Sequence, residues 1–364
     1  MTALTTSLAQ SARPGRRAVG LWLAVVAAMI AAMVLVGGLT RLTGSGLSIT
    51  TWHPISGVVP PLSHAAWMRE FDHYKEIPQY RFENRGMTLS QFKGIFWWEW
   101  SHRLLGRLIG LVFLLPFLWF AWRGYIVRRE WPRMITLFVL GGLQGLVGWW
   151  MVTSGIETST RVSVSQYRLA AHLGLALFLF AVILWTAFQY LRPKLADLRP
   201  APQAFLAKLV ALLVYVQMLM GALVAGLHAG LIYETWPSMN GGFGPERPFV
   251  QSPWYLNFFA NPGLAQFDHR MGAYLVFLGA LALFIAARRQ SGARKISAHL
   301  LFGLVLIQIS LGIATLLNEV PIPLAALHQI TAVALFSAAL WHAYEMAGAG
   351  AALTKVQPAA ALSA

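Results

Sequence analysis

The feature that most constrains this chain is a series of eight apolar stretches. Each is about 20 residues long, the length an α-helix needs to cross the hydrocarbon core of a bilayer. They fall near 19–40, 103–123, 134–153, 168–190, 205–227, 268–287, 297–317 and 325–346. Lipid offers no partner for a free backbone N–H or C=O, so runs of this kind are read as helices. With 57% hydrophobic and 11% charged residues, a soluble chain of 364 residues could not hide its apolar surface. The expected class is an all-α integral membrane protein in contact with lipid. The run from Val19 to Leu39 is too long for the core of a signal peptide, and no small-residue cleavage site follows it cleanly, so a retained first helix is expected.

The net charge of +15 would suggest nucleic acid in a soluble protein. Here the positive charge falls largely in short connections between apolar spans, which points to topology and to no nucleic-acid partner. Arg13, Arg16 and Arg17 precede the first span. Arg123, Arg128, Arg129 and Arg133 lie between the second and third. Arg192, Lys194, Arg199 and Lys208 lie between the fourth and fifth, and Arg288, Arg289, Arg294 and Lys295 between the sixth and seventh. All belong to one side, expected to be the cytoplasm, with both termini there. The opposite short connections carry only Arg161 (154–167) or no Lys or Arg (318–324). Residues 41–98 and 228–267 are long outer segments. Their Trp, Tyr and Pro content and a short amphipathic stretch around 63–76 predict ordered caps on the membrane surface. The absence of cysteine excludes disulfides, thiolate metal sites and thiolate-ligated haem.

The chain repeats internally. At an offset of 184, Gly37, Leu39, Gly46, Leu47, Thr51 and Trp52 match Gly221, Leu223, Gly230, Leu231, Thr235 and Trp236. At 167, His102-Arg103 matches His269-Arg270. At 164, Leu137, Phe138, Leu140, Gln144 and Gly148 match Leu301, Phe302, Leu304, Gln308 and Gly312. At 156, Ala170, His172, Ala176, Leu179, Phe180, Leu184 and Trp185 match Ala326, His328, Ala332, Leu335, Phe336, Leu340 and Trp341. Four helices is an even number, so the repeats share one orientation in the membrane. Two four-helix bundles are expected, 19–190 and 205–346, flanked by cytoplasmic tails 1–18 and 347–364.

Of ten histidines, His102, His172, His269 and His328 hold repeat-equivalent places, each expected a few residues into an even-numbered helix. All four then lie at similar depth below the outer interface. Two imidazoles facing across a bundle core form a b-type haem clamp, which pairs His102 with His172 and His269 with His328. His53, His64, His73, His228, His299 and His342 lack the pattern and are expected at surfaces or interfaces. Arg103, Arg107, Arg168 and Arg270 stand close in sequence to the four histidines and suit haem propionates, although snorkelling to the interface is an equal use for them. Glu99, three residues before His102, shares its helix face, and its repeat counterpart is Gln266. An interfacial brace paired with arginine is one use for that carboxylate. Chemistry in the N-terminal half beside a fixed cofactor in the C-terminal half is the other.

These residues together resemble the haem A synthase family. Glu99-Trp-Ser-His102-Arg103 resembles its Glu-x-x-His-Arg motif, and Trp52-His-Pro54-Ile-Ser-Gly57-Val-Val-Pro60-Pro61 its first outer loop. Gln266-Phe-Asp-His269-Arg270 and Leu327-His328-Gln329 resemble its second-half haem motifs. The likeness covers about 19–346 and is to the cysteine-free branch. It implies oxidation of the C8 methyl of haem O to a formyl group, giving haem A for cytochrome oxidase, in the cytoplasmic membrane of a bacterium. It further implies haem b as cofactor on His269 and His328, with Arg270 beside it. The haem O substrate would sit on His102 and His172, with Arg103, Arg107 and Arg168 around it and Glu99 near the methyl. Direct handover from a haem O synthase is the expected partnership. A dihaem electron-transfer cytochrome b and a haem carrier are the alternatives, and neither would alter the haem's side groups.

Overall fold

The structure is a computed structural model that describes residues 15–157, 160–192 and 199–348. Arg13, Lys194 and most of the two expected tails lie outside the described residues. Among those residues there are eight helices long and apolar enough to cross a membrane. They are α1 (Arg16–Leu42), α2 (Leu89–Trp122), α3 (Trp131–Ile156), α4 (Gln166–Leu191), α5 (Ala204–Gly226), α6 (Pro262–Ala286), α7 (Gly292–Leu317) and α8 (Ile322–Met346). Pro132, Pro262 and Pro323 stand in the first turns of α3, α6 and α8, where the missing N–H has no partner to lose.

Within each set of four the neighbours are the same. α1 packs on α2 and α4, and α3 on α4 and α2; α5 packs on α6 and α8, and α7 on α8 and α6. The sets meet where α4 lies against α5 and α8, and where α1 lies against α8. One apolar core runs through both, from Val19 and Leu23 on α1 to Ala339 and Ala343 on α8. At the Arg-rich face, Arg16 donates to the carbonyls of Gln189 and Tyr190 at the C-terminus of α4, where a cation meets the negative end of the helix dipole.

The boundary that differs most from the expectation is the start of α2. α2 begins at Leu89, not near 103, so His102 lies well along its helix. The extension starts at a capping box, in which the Thr88 hydroxyl accepts from Gln91 N–H and the Gln91 side chain accepts from Thr88 N–H. It stands above the apolar span and packs on the cap helix His64–Lys75. Trp67, Phe71, Tyr74, Phe92 and Phe96 form an outer aromatic cluster there. Tyr74 is fully buried and donates to Gln79, which in turn donates to the Gly44 carbonyl. Burial pushes its phenol up to about 12, so this link stays protonated at ordinary pH. The first outer segment is thus a packed cap, as its amphipathic stretch predicts.

Candidate functional site

Each of the four repeat-equivalent histidines meets a glycine on the preceding helix. A Cβ on Gly148 would lie 2.8 Å from His172 Cε1, and one on Gly312 2.9 Å from His328 Cε1. A Cβ on Gly37 would lie 3.1 Å from His102 Nε2, and one on Gly221 3.2 Å from His269 Cε1. The matched glycines of the repeat are therefore the space into which the matched imidazoles fit. Glutamines complete three of these seats. The Gln144 side-chain amide stands 3.1 Å from His172 Nδ1 and donates to the His172 carbonyl; Gln308 does the same for His328, at 3.1 Å. Gln217 stands 3.0 Å from His269 Nδ1 and donates to the His269 carbonyl.

His269 and His328 face each other with ring centres 6.5 Å apart, at 72° to one another. Two imidazoles on one metal, each nitrogen about 2 Å from it, would stand with ring centres roughly 6 Å apart. The pair is thus spaced for an axially ligated iron. A metal-bound histidine carries its proton on the other nitrogen and needs an acceptor there. The side-chain oxygens of Gln144, Gln217 and Gln308 are all buried and unpartnered, and a half-turn of the amide would present such an oxygen to Nδ1 in exchange for the bond to the histidine carbonyl. Among the described residues there is no group of three or more His, Asp or Glu suited to a bare ion. Two imidazoles suit an iron already held by a macrocycle. His102 and His172 lie within electrostatic reach of each other, but no ring contact like that of His269 and His328 joins them.

Glu99 is 3% exposed. One carboxylate oxygen accepts from Arg103 Nη2 at 2.6 Å and Nε at 3.1 Å; the other accepts from the Ser48 hydroxyl and Ile49 N–H, both at 2.8 Å. Neither oxygen can take a substrate proton without giving up a bond. Arg103 continues to the Ile49 and Thr51 carbonyls and stacks over Trp149, whose ring meets Trp52 edge-on. In the other half Arg270 donates to the Tyr233 and Thr235 carbonyls, which the offset of 184 makes the counterparts of Ile49 and Thr51. Gln266 donates to Tyr233 as well. Arg107 holds the His53 and Pro54 carbonyls. Arg168 holds the Trp150 carbonyl and the Thr153 hydroxyl.

The arginines expected at propionates thus bind backbone carbonyls first, those met by Arg103, Arg107 and Arg270 in loops and that met by Arg168 near the C-terminal end of α3. Donors remain on Arg107 Nη1 and Arg270 Nε, which are buried and unpartnered. Of the six histidines set aside, five are exposed. His342 is not at a surface: it is 1% exposed and bonded to Ser297, because α8 is packed on every side at that level. Sequence reasoning gave the glutamines no role. The match of Gln144 with Gln308, next to a matched Gly and one helix away from a matched His, was the available signal. Gln217, Ser48 and Ile49 had no such signal.

The chain matches the family described as Cytochrome oxidase assembly protein over residues 20–340. It is 52% identical to a haem A synthase of Bradyrhizobium diazoefficiens over 342 residues, 93% of this chain and 94% of the relative. It is 49% identical to a haem A synthase of Parvibaculum lavamentivorans over 334 residues, 91% of this chain and 94% of that one. With a haem A synthase of Rhodopseudomonas palustris the identity is 53% over 326 residues, 89% of each chain.

Proposed function

This chain belongs to the cytochrome oxidase assembly protein family, and from that premise we propose that it is a haem A synthase, a membrane oxidoreductase that converts the C8 methyl of haem O to a formyl group. The observation that carries the reading is the repeated imidazole seat, two histidines per half, in a chain similar over most of its length to haem A synthases.

His269 and His328 would hold a haem b in the C-terminal half, with Arg270 Nε left to meet a propionate. Held by two imidazoles, that haem would supply electron transfer. His102 and His172 hold the substrate haem in the N-terminal half, and Arg107 Nη1 is the free donor beside it. Two successive two-electron hydroxylations of the methyl, each drawing on an oxidant from outside this chain, would give a gem-diol, and loss of water would give the aldehyde. Glu99 contributes a fixed negative charge three residues from His102. Its saturated oxygens favour stabilising positive charge that develops beside the ring over taking a proton. So apolar a substrate is best received directly from a haem O synthase.

The Arg-rich connections face the cytoplasm of a bacterial inner membrane, and the cap 41–98 lies outside. Reporter fusions at Arg129 and Glu83 should read opposite compartments; the same compartment for both would overturn this orientation. The function is tested chemically. Expressed in cells that make haem O but no haem A, the chain should yield an extracted haem in which one oxygen has replaced two hydrogens. Haem O alone, from membranes that contain the protein, would favour a carrier or an electron-transfer cytochrome.

A further inference from the structure

Three of the four histidines are braced by a glutamine amide, and the fourth is not. Gln144 braces His172, Gln308 braces His328 and Gln217 braces His269. The α1 counterpart of Gln217, at the offset of 184, is Met33, and among the described residues the His102 side chain makes no hydrogen bond. The opposite helix changes in step. Gly272 on α6 makes room for the amide, since a Cβ there would lie 2.1 Å from Gln217 Oε1. Its counterpart on α2, at the offset of 167, is Leu105. One half has the amide with a glycine against it; in the other, Met33 lies against Gly106, one position along from Leu105, and no amide reaches the histidine.

The imidazole edge that meets the glycine, Cε1 with Nδ1 at His172, His269 and His328 and Nε2 with Cδ2 at His102, differs only by a half-turn of the ring. A second partner on a metal-ligating histidine fixes the ring's orientation and raises its basicity, and losing it typically weakens metal binding about 10- to 100-fold. An enzyme whose substrate and product are both haems must let them in and out, whereas a cofactor haem must stay.

We infer that Gln217, seated against Gly272, makes His269 a permanent haem ligand, and that Met33 and Leu105 in the equivalent places leave His102 the exchangeable ligand through which the N-terminal half takes up and releases haem. The inference rests on the haem A synthase reading. Gln217 is a positioning residue that acts through His269.

The test uses the full-length protein loaded with protohaem in both halves, with release followed by transfer to excess apomyoglobin. Wild type should lose haem in two phases. Gln217→Met should accelerate the slow phase about tenfold or more and leave the fast phase unchanged. Met33→Gln combined with Leu105→Gly should slow the fast phase by a similar factor and increase the low-spin bis-imidazole absorption. Gln217→Glu keeps the size and the acceptor. It should retain the slow phase while lowering the reduction potential of that haem, a readout that also stands in if Gln217→Met fails to fold. A single release rate in wild type overturns the inference, as do unchanged phases in the variants or an unmoved potential in Gln217→Glu. Failure of wild type to bind protohaem in either half would sink the functional reading itself, which separates the two failures.

Discussion

The two halves fasten their outer ends in the same way and treat the buried polar positions beside the imidazole seats differently. Arg103 and Arg270 reach the same pair of carbonyls in their respective loops, and the two histidines of each half sit against equivalent glycines. Against that shared frame stand Glu99 for Gln266, Met33 for Gln217, Leu105 for Gly272 and Arg107 for Tyr274. The C-terminal half spends its differences on holding still: both imidazoles are braced and face each other at 6.5 Å. The N-terminal half spends its differences on charge and freedom, with a buried carboxylate, an extra arginine and an unbraced ring. Seats alike in frame and unlike in constraint fit one retained haem and one that turns over. The comparison teaches that in a repeat protein the mismatched polar positions locate the chemistry, while the matched ones locate what both halves must do.

The comparison can be broken most sharply at the ligands. His269→Ala or His328→Ala should remove the tightly held b-type haem, with its content per protein falling on the order of tenfold or more. His172→Ala should leave that haem in place and abolish haem A formation. Absorption spectra of the purified proteins decide, and an unchanged bis-imidazole spectrum in both His269→Ala and His328→Ala would sink the assignment. A smaller effect is expected at the glycines. Gly312→Ala puts a methyl 2.9 Å from the His328 ring and should loosen the retained haem, whereas Gly148→Ala presses on His172 at 2.8 Å and should lower product yield first. The two variants exchanging these phenotypes would show that the halves had been assigned the wrong way round.

Much of the frame was legible in the residues. Eight apolar runs gave eight helices, while the packing of the four matched histidines against matched glycines emerges only from the structure. The start of α2 was not legible. Residues 89–98 fall in the long outer segment, where hydropathy does not mark a helix, and only the Thr88–Gln91 capping box and the aromatic cap beside it define one. The destinations of the arginines were equally hidden. A guanidinium suits a propionate and a loop carbonyl alike, and sequence spacing along one helix does not tell which loop folds back onto it. Glu99 was singled out correctly as asymmetric, yet its four donors come from Arg103 and from residues about fifty positions away.

The central claim, that the N-terminal half does the chemistry through its charged site, is met most directly by the haems extracted from a Glu99→Gln protein. The second half supplies the control, since Gln266 sits at the equivalent place and holds its loop through the Tyr233 carbonyl. Glu99→Gln therefore keeps the size and loses the charge, and its amide oxygen can keep only one of the two donor sets, that of Arg103 or that of Ser48 and Ile49. In membranes with normal protein levels, the variant should retain the His269/His328 haem. It should accumulate haem O or a hydroxylated intermediate and form haem A at a rate lower by about 100-fold or more. A near-normal yield of haem A would leave Glu99 as a brace for the loop at 48–51 and would contradict the account.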